Sequence, residues 1–174
     1  IYVLNGYPRV GKTFFGHTVG SILRKNDKHF LHTSSIDPIK TILKSEEHWL
    51  SGGILPTDFE TIRILKNWLN LDSDWDGETK DDYWRRKMSD LKEYLKWAIP
   101  DFTDSWVMNQ LEGIEVAFVD IREPWNIRYF CEFASTMGHQ VKTVFIEREG
   151  SAPAENRSDN SGICNFPYDY YIYN

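Results

Sequence analysis

The 174-residue sequence predicts an α/β fold of the P-loop kind: a three-layer sandwich with a parallel sheet between two layers of helices, carrying a helical insertion and a lid loop. Three observations predict it. Short apolar segments alternate with segments whose apolar residues recur at helical spacing, and strands apolar throughout are buried on both faces. The first strand runs into the glycine-rich stretch GYPRVGKT, residues 6–13, which opens a helix. The chain between the second and third strands is helical and stands beside the sheet as an insertion.

In chain order, IYVLNG at the start reads as a buried strand that ends at a turn. From Gly11 onward Phe15, Val19, Ile22 and Leu23 share a helix face, and the helix stops near RKND at 24–27. KHFLHTSS is the second strand. Asp37 then serves as an N-cap with Pro38 in the first helical position. Residues 45–112 form the helical insertion, so the core comprises 1–44 and 113–174. In it, Phe59, Ile62, Leu65, Trp68 and Leu69 line one face of a helix capped by Asp58. A longer helix carries Trp84, Met88, Leu91, Leu95 and Ala98, and PDFTDSWVMNQL starts a third. The acidic loop LDSDWDGETKDD between the first two lacks the full calcium-loop pattern. The third strand runs from Ile114 to Val119 and ends in Asp120. A helix stopping at Gly138, the strand HQVKTVFIERE, a small-residue polar loop and the strand YDYYIYN complete the chain, with the lid at about 149–162.

Composition sets the bounds. The chain is 41% hydrophobic and 26% charged with a net charge of -6, so it suits one domain with its own core. It has no basic tail to neutralise a phosphate backbone, which disfavours nucleic acid as a partner. No apolar run reaches the roughly 18 residues a membrane span needs. Cys131 and Cys164 lack metal-ligand spacing and read as free thiols of a reducing, cytoplasmic compartment. Six of the seven tryptophans fall between residues 49 and 106, where they build a bulky core or, in one or two cases, a face that stacks on a base.

The chemistry starts at the loop. Gly6 to Thr13 fits G-x-x-x-x-G-K-[ST], and its place between a strand and a helix is the context that gives the pattern meaning. Backbone amides of such a loop and the helix N-terminus cradle phosphates. The expected nucleotide contacts are Gly6, Pro8, Arg9, Val10, Gly11, Lys12, Thr13 and Phe14. Lys12 reaches the β/γ-phosphates and Thr13 ligates Mg²⁺. Asp120, at the C-terminal end of an apolar strand, is the second expected Mg²⁺ ligand. Arg122 is placed for a bidentate phosphate contact. Asp37 and Lys40 follow the second strand, and Arg85, Arg86 and Lys87 make a basic turn suited to an anionic acceptor. Arg148 before the lid and Arg157 within it are candidates for spreading transition-state charge.

Together, NGYPRVGKT, SSIDPIK, YWRRKMSDL, VDIREPWN, IERE, NRSD and YDYYIYN resemble, in order, the motifs of bacteriophage-type deoxynucleoside monophosphate kinases, a group similar to animal phosphomevalonate kinases. The resemblance covers nearly the whole chain. It departs at Glu123, where the family has an aromatic residue, at Trp125 for Asn, and at Asn156 and Asp159 for His and Glu. It implies phosphoryl transfer from ATP, with Mg²⁺, to a nucleoside monophosphate. Lys12, Arg122, Arg148 and Arg157 would be catalytic, Thr13 and Asp120 would serve the metal, and Asp37, Lys40, Arg85, Arg86, Trp106 and Arg122 would hold the acceptor. It also implies a monomer or homodimer in the host cytoplasm. The sequence leaves open a kinase of another small phosphate or of a hydroxymethylated base in DNA, and a regulatory P-loop ATPase.

Overall fold

The computed structural model describes residues 1–7, 9–71, 74–78, 81–151 and 166–174. All five expected strands are present: β1 (Tyr2–Asn5), β2 (Phe30–Ser34), β3 (Val116–Asp120), β4 (Lys142–Glu147) and β5 (Tyr170–Tyr173). They form one sheet in the order β2-β3-β1-β4-β5, and every neighbouring pair is parallel. The helices are α1 (Lys12–Lys25), α2 (Asp37–Leu43), α3 (Glu47–Ser51), α4 (Phe59–Trp68), α5 (Asp82–Ala98), α6 (Phe102–Asn109) and α7 (Pro124–Thr136). The chain divides into two compact units, a sheet unit of 1–34 with 111–174 and a helical unit of 35–110 that takes in α2. Among the described residues, no helix is long and apolar enough to cross a membrane.

In the sheet unit, Val3 and Leu4 are both fully buried although they point to opposite faces, as are Phe118 and Val119 nearly so. Both faces are therefore covered, which is why these strands lack polar alternation. Phe15, Val19 and Leu23 of α1 pack on Leu4, Val10, Phe118, Val144 and Ile146. Ile22, expected on that face, is 54% exposed. The reason is a glycine stripe: Gly16 and Gly20 are the buried positions of α1. A Cβ at Gly16 would strike the His32 ring, and one at Gly20 the Phe30 ring. The helix turns this stripe onto β2, and Ile22 falls outside it.

Asp169 fixes the start of β5. Its carboxylate accepts from the Thr143 amide and hydroxyl, both at 2.8 Å, and from Lys142 Nζ at 3.0 Å. The Thr143 amide first, then Lys142, holds this carboxyl below its usual range. On α7, Cys131 is a free thiol pushed up to about 11, mainly by burial and further by Asp169 and Glu132. In a Cys164→Ser background, Cys131 should resist a maleimide or disulfide reagent at pH 8 in the native state and react on unfolding. Equal rates in the two states would show an accessible thiolate.

In the helical unit, Ile39, Ile42, Trp49, Ile62, Leu91 and Leu95 are fully buried. α2 starts one residue earlier than the capping pair implied, with Ile36 at the N-cap and Asp37 already helical. Asp58 does stand at the N-cap of α4, but its side chain makes no capping hydrogen bond. Trp68, expected on the buried face of α4, is 61% exposed and sets its ring edge-on to Tyr94 at 4.4 Å. Ala98, at the end of α5, is also exposed. Lys66 donates to the carbonyls of Ile42 and Lys44 at 3.3 and 3.4 Å, so a cation completes the C-terminus of α2.

Candidate phosphate-binding site

In an open parallel sheet, ligands bind at the C-terminal edge where the strand order reverses. Here that place is β1, flanked by β3 and β4. The loop of residues 6–11 leaves the sheet there. Gly6 has φ 147°, and a Cβ on it would collide with the Ile146 carbonyl oxygen, so no other residue fits. Arg9 is left-handed at φ 63°, a conformation that non-glycine residues adopt rarely and that concentrates at ligand clamps. Gly11, at φ 94°, is the N-cap of α1, and no side chain caps it. With no acidic residue in the first turn, the amides and dipole at this end suit an anion.

The expected nucleotide contacts are placed unequally. Lys12 Nζ donates to the loop's own carbonyls, Gly6 O at 2.7 Å and Tyr7 O at 3.0 Å, and so holds the loop curled around its ammonium. Thr13 and Phe14 are exposed at the start of α1. The Val10 side chain is fully buried in the core, and its carbonyl accepts from Asn174 Nδ2 at 2.9 Å, so its contribution to a ligand is restricted to backbone. Pro8 lies outside the described residues.

Asn5 is the residue that sequence reasoning missed. It is fully buried, and its Oδ1 accepts from the Gly6 amide at 2.6 Å. Its Nδ2 donates to Arg122 O at 2.9 Å and to the Tyr168 hydroxyl at 2.8 Å. One side chain thus pins the ends of three segments at the same sheet edge. Its only signal in the sequence was a polar residue closing an apolar run. Asn5→Ala leaves a buried amide without its acceptor, at a cost of about 1–3 kcal/mol. Urea unfolding should register that loss, and an unchanged midpoint would show that water replaces Asn5 freely.

Asp120 ends β3 and pairs in register with Leu4 of β1 and Ser34 of β2. Its carboxylate therefore sits beside the strand that launches the loop. Oδ1 is buried and accepts no aligned hydrogen bond among the described residues, although His32 Nε2 lies 3.3 Å away. A buried carboxylate oxygen with acceptor capacity left over suits a cation. No group of three or more metal-ligating side chains converges among the described residues. A divalent ion here would thus be shared with a ligand's phosphates, the usual mode for Mg²⁺. Of the two residues expected to serve the metal, Asp120 carries this spare acceptor capacity, and Thr13 is exposed at the start of α1. Arg122, just beyond Asp120, and Arg148, just beyond β4, are exposed in this unit. Arg157 and most of the expected lid fall outside the described residues.

Within the helical unit, Lys40 Nζ pairs with Asp37 Oδ1 at 2.6 Å, one helical turn apart. Arg85 and Arg86 are exposed on α5. Lys87 turns inward instead, donating to Leu69 O at 2.5 Å with its ammonium 5.6 Å from the Tyr83 ring centre. The basic turn is therefore the two arginines, and Lys87 is a packing residue. Trp106 is buried and donates from Nε1 to Gly52 O at 2.5 Å. It lines a cavity of about 110 Å³ with Phe102, Asp58, Asp101, Ser105 and Asn109. Burial raises the Asp58 carboxyl above its ordinary range.

A scan against protein-family models finds no match to this chain. No curated protein is significantly similar to it.

Proposed function

We propose that the chain is a P-loop kinase that moves the γ-phosphoryl of ATP onto a (deoxy)nucleoside monophosphate, giving ADP and the diphosphate. The observation that carries this reading is the glycine loop with Lys12, leaving the central strand of a parallel sheet with Asp120 in register alongside. The loop amides and the uncapped start of α1 hold the ATP phosphates. Lys12 exchanges its two loop carbonyls for phosphate oxygens and draws charge toward the leaving ADP. Thr13 and Asp120 are the side chains that hold Mg²⁺, which neutralises phosphate charge when bound. Arg122, Arg148 and Arg157 stabilise the transferring group. Asp37, Lys40, Arg85, Arg86 and Trp106 serve the acceptor, with the arginines matching a dianionic phosphate.

The acceptor oxygen is already anionic at neutral pH, so no strong general base is required. Positioning and electrostatics carry the rate. The test is ADP formation with ATP and Mg²⁺ against a panel of deoxynucleoside monophosphates, 5-hydroxymethyl pyrimidines among them, with mevalonate phosphate as the outlier. Acceptor-dependent ADP is expected with one or a few nucleotides. Phosphate release without any acceptor would identify an ATPase instead, and silence across the panel would remove the free nucleotide as substrate.

A further inference from the structure

We infer that His32 is a positioning residue for the metal-binding carboxylate of Asp120. The inference rests on the proposed role of Asp120 and adds a residue that the phosphate-loop chemistry does not supply. The His32 ring is held from two sides. On one, it faces α1: Nδ1 and Cε1 occupy the space of the missing Cβ of Gly16, which would lie 2.5 and 2.6 Å from them. His17 adds an edge-on contact at 5.9 Å between ring centres. On the other side, Nε2 points toward Asp120 Oδ1 at 3.3 Å. Both side chains are largely buried, with 12% and 18% of their surface exposed.

A carboxylate at the end of a strand turns about its side-chain torsions unless something holds it. The backbone of Asp120 is fixed by pairing with β1 and β2. Its carboxylate has the imidazole as its near neighbour on the β2 side. Since the ring is lodged in the space beside Gly16, it limits how the carboxylate can turn and so how Oδ1 faces a cation. A partner of this kind, one shell behind a metal ligand, is worth about 10–100-fold in metal affinity or activity. His32 therefore acts on metal binding through Asp120 and does not touch the nucleotide.

The test uses ADP binding by calorimetry, with Mg²⁺ and with EDTA, on the wild type, His32→Phe, His32→Asn and Gly16→Ala. Far-UV circular dichroism on each variant checks the fold. His32→Phe keeps a ring in the notch and removes the nitrogen. It should lose about 10-fold or more of the Mg²⁺-dependent gain in ADP affinity while the EDTA value moves little. His32→Asn, which can donate an amide N–H to the carboxylate, should recover part of that gain. Gly16→Ala, which displaces the ring without changing it, should lower the gain as well. A full Mg²⁺ gain in folded His32→Phe overturns the inference and leaves the kinase reading intact. A wild type that binds ADP with no Mg²⁺ gain overturns the metal role of Asp120 and this inference together. A wild type that does not bind ADP overturns the phosphate-loop reading at its base.

Discussion

Lys12→Ala is expected to lower kcat for phosphoryl transfer by about 10²–10³-fold, the loss typical of deleting one preorganised charge from a transition state, or roughly 3–4 kcal/mol. The ammonium has two roles in the geometry. It bonds two carbonyls of its own loop, Gly6 and Tyr7, and under the proposed mechanism it passes to the phosphates. The first role predicts some loosening of the loop and a modest fall in ATP affinity. The second predicts the larger fall in kcat at saturating ATP. Thermal unfolding should change little, since Val10, Asn5 and Asn174 anchor the loop independently of Lys12. Steady-state ADP formation separates the two roles, and wild-type kcat in a folded Lys12→Ala variant would remove Lys12 from the chemistry.

Asp104→Asn is expected to change the pH dependence of stability by about 2 kcal/mol. Asp104 lies on α6, 4% exposed, and its Oδ2 has no hydrogen-bond partner among the described residues. Burial pushes its carboxyl up to about 6, with Asp101 adding to the rise and Lys96 and Lys92 opposing it. The folded chain therefore holds this proton more tightly than the unfolded chain, whose value is near 3.8. The stability it contributes is fully present below the unfolded value and is lost as pH rises to about 6. Ionised at neutral pH, Asp104 is a liability that an amide does not share. From pH 4 to 7.5, the stability of Asp104→Asn relative to wild type should rise by about 2 kcal/mol. Urea unfolding followed by tryptophan fluorescence suits the measurement, because six of the seven tryptophans lie in the helical unit that contains Asp104. A difference independent of pH would mean that water reaches the carboxylate.

These two residues differ in how far the sequence exposed them. Lys12 belongs to a local pattern that is legible within eight residues, because a strand, a tight loop and a helix start are contiguous in the chain. Asp104 had no such signal, being one acid among many on a helix. Its burial depends on what α6 packs against. The same contrast runs through the rest of the site. Asp120 could be placed from the apolar run before it, since a strand end is a local property. His32 and Asn5 could not, because their partners are distant: His32 meets Gly16 and Asp120, and Asn5 meets Arg122 and Tyr168.

By itself the sequence determined the five strands, the burial of the central ones on both faces, the glycine loop between a strand and a helix, and the helical stretch between the second and third strands. Each of these follows from the spacing of apolar residues, glycines and prolines along a short stretch. Only the tertiary structure decided the strand order, the burial of Asn5 and Asp104, and the turning of Ile22 and Trp68 to the surface. Helical periodicity names a face but not its centre. On α1 that centre was set by Gly16 and Gly20, whose lack of side chains lets the helix close on Phe30 and His32. A pattern that counts apolar side chains gives no weight to a residue whose contribution is the space it leaves.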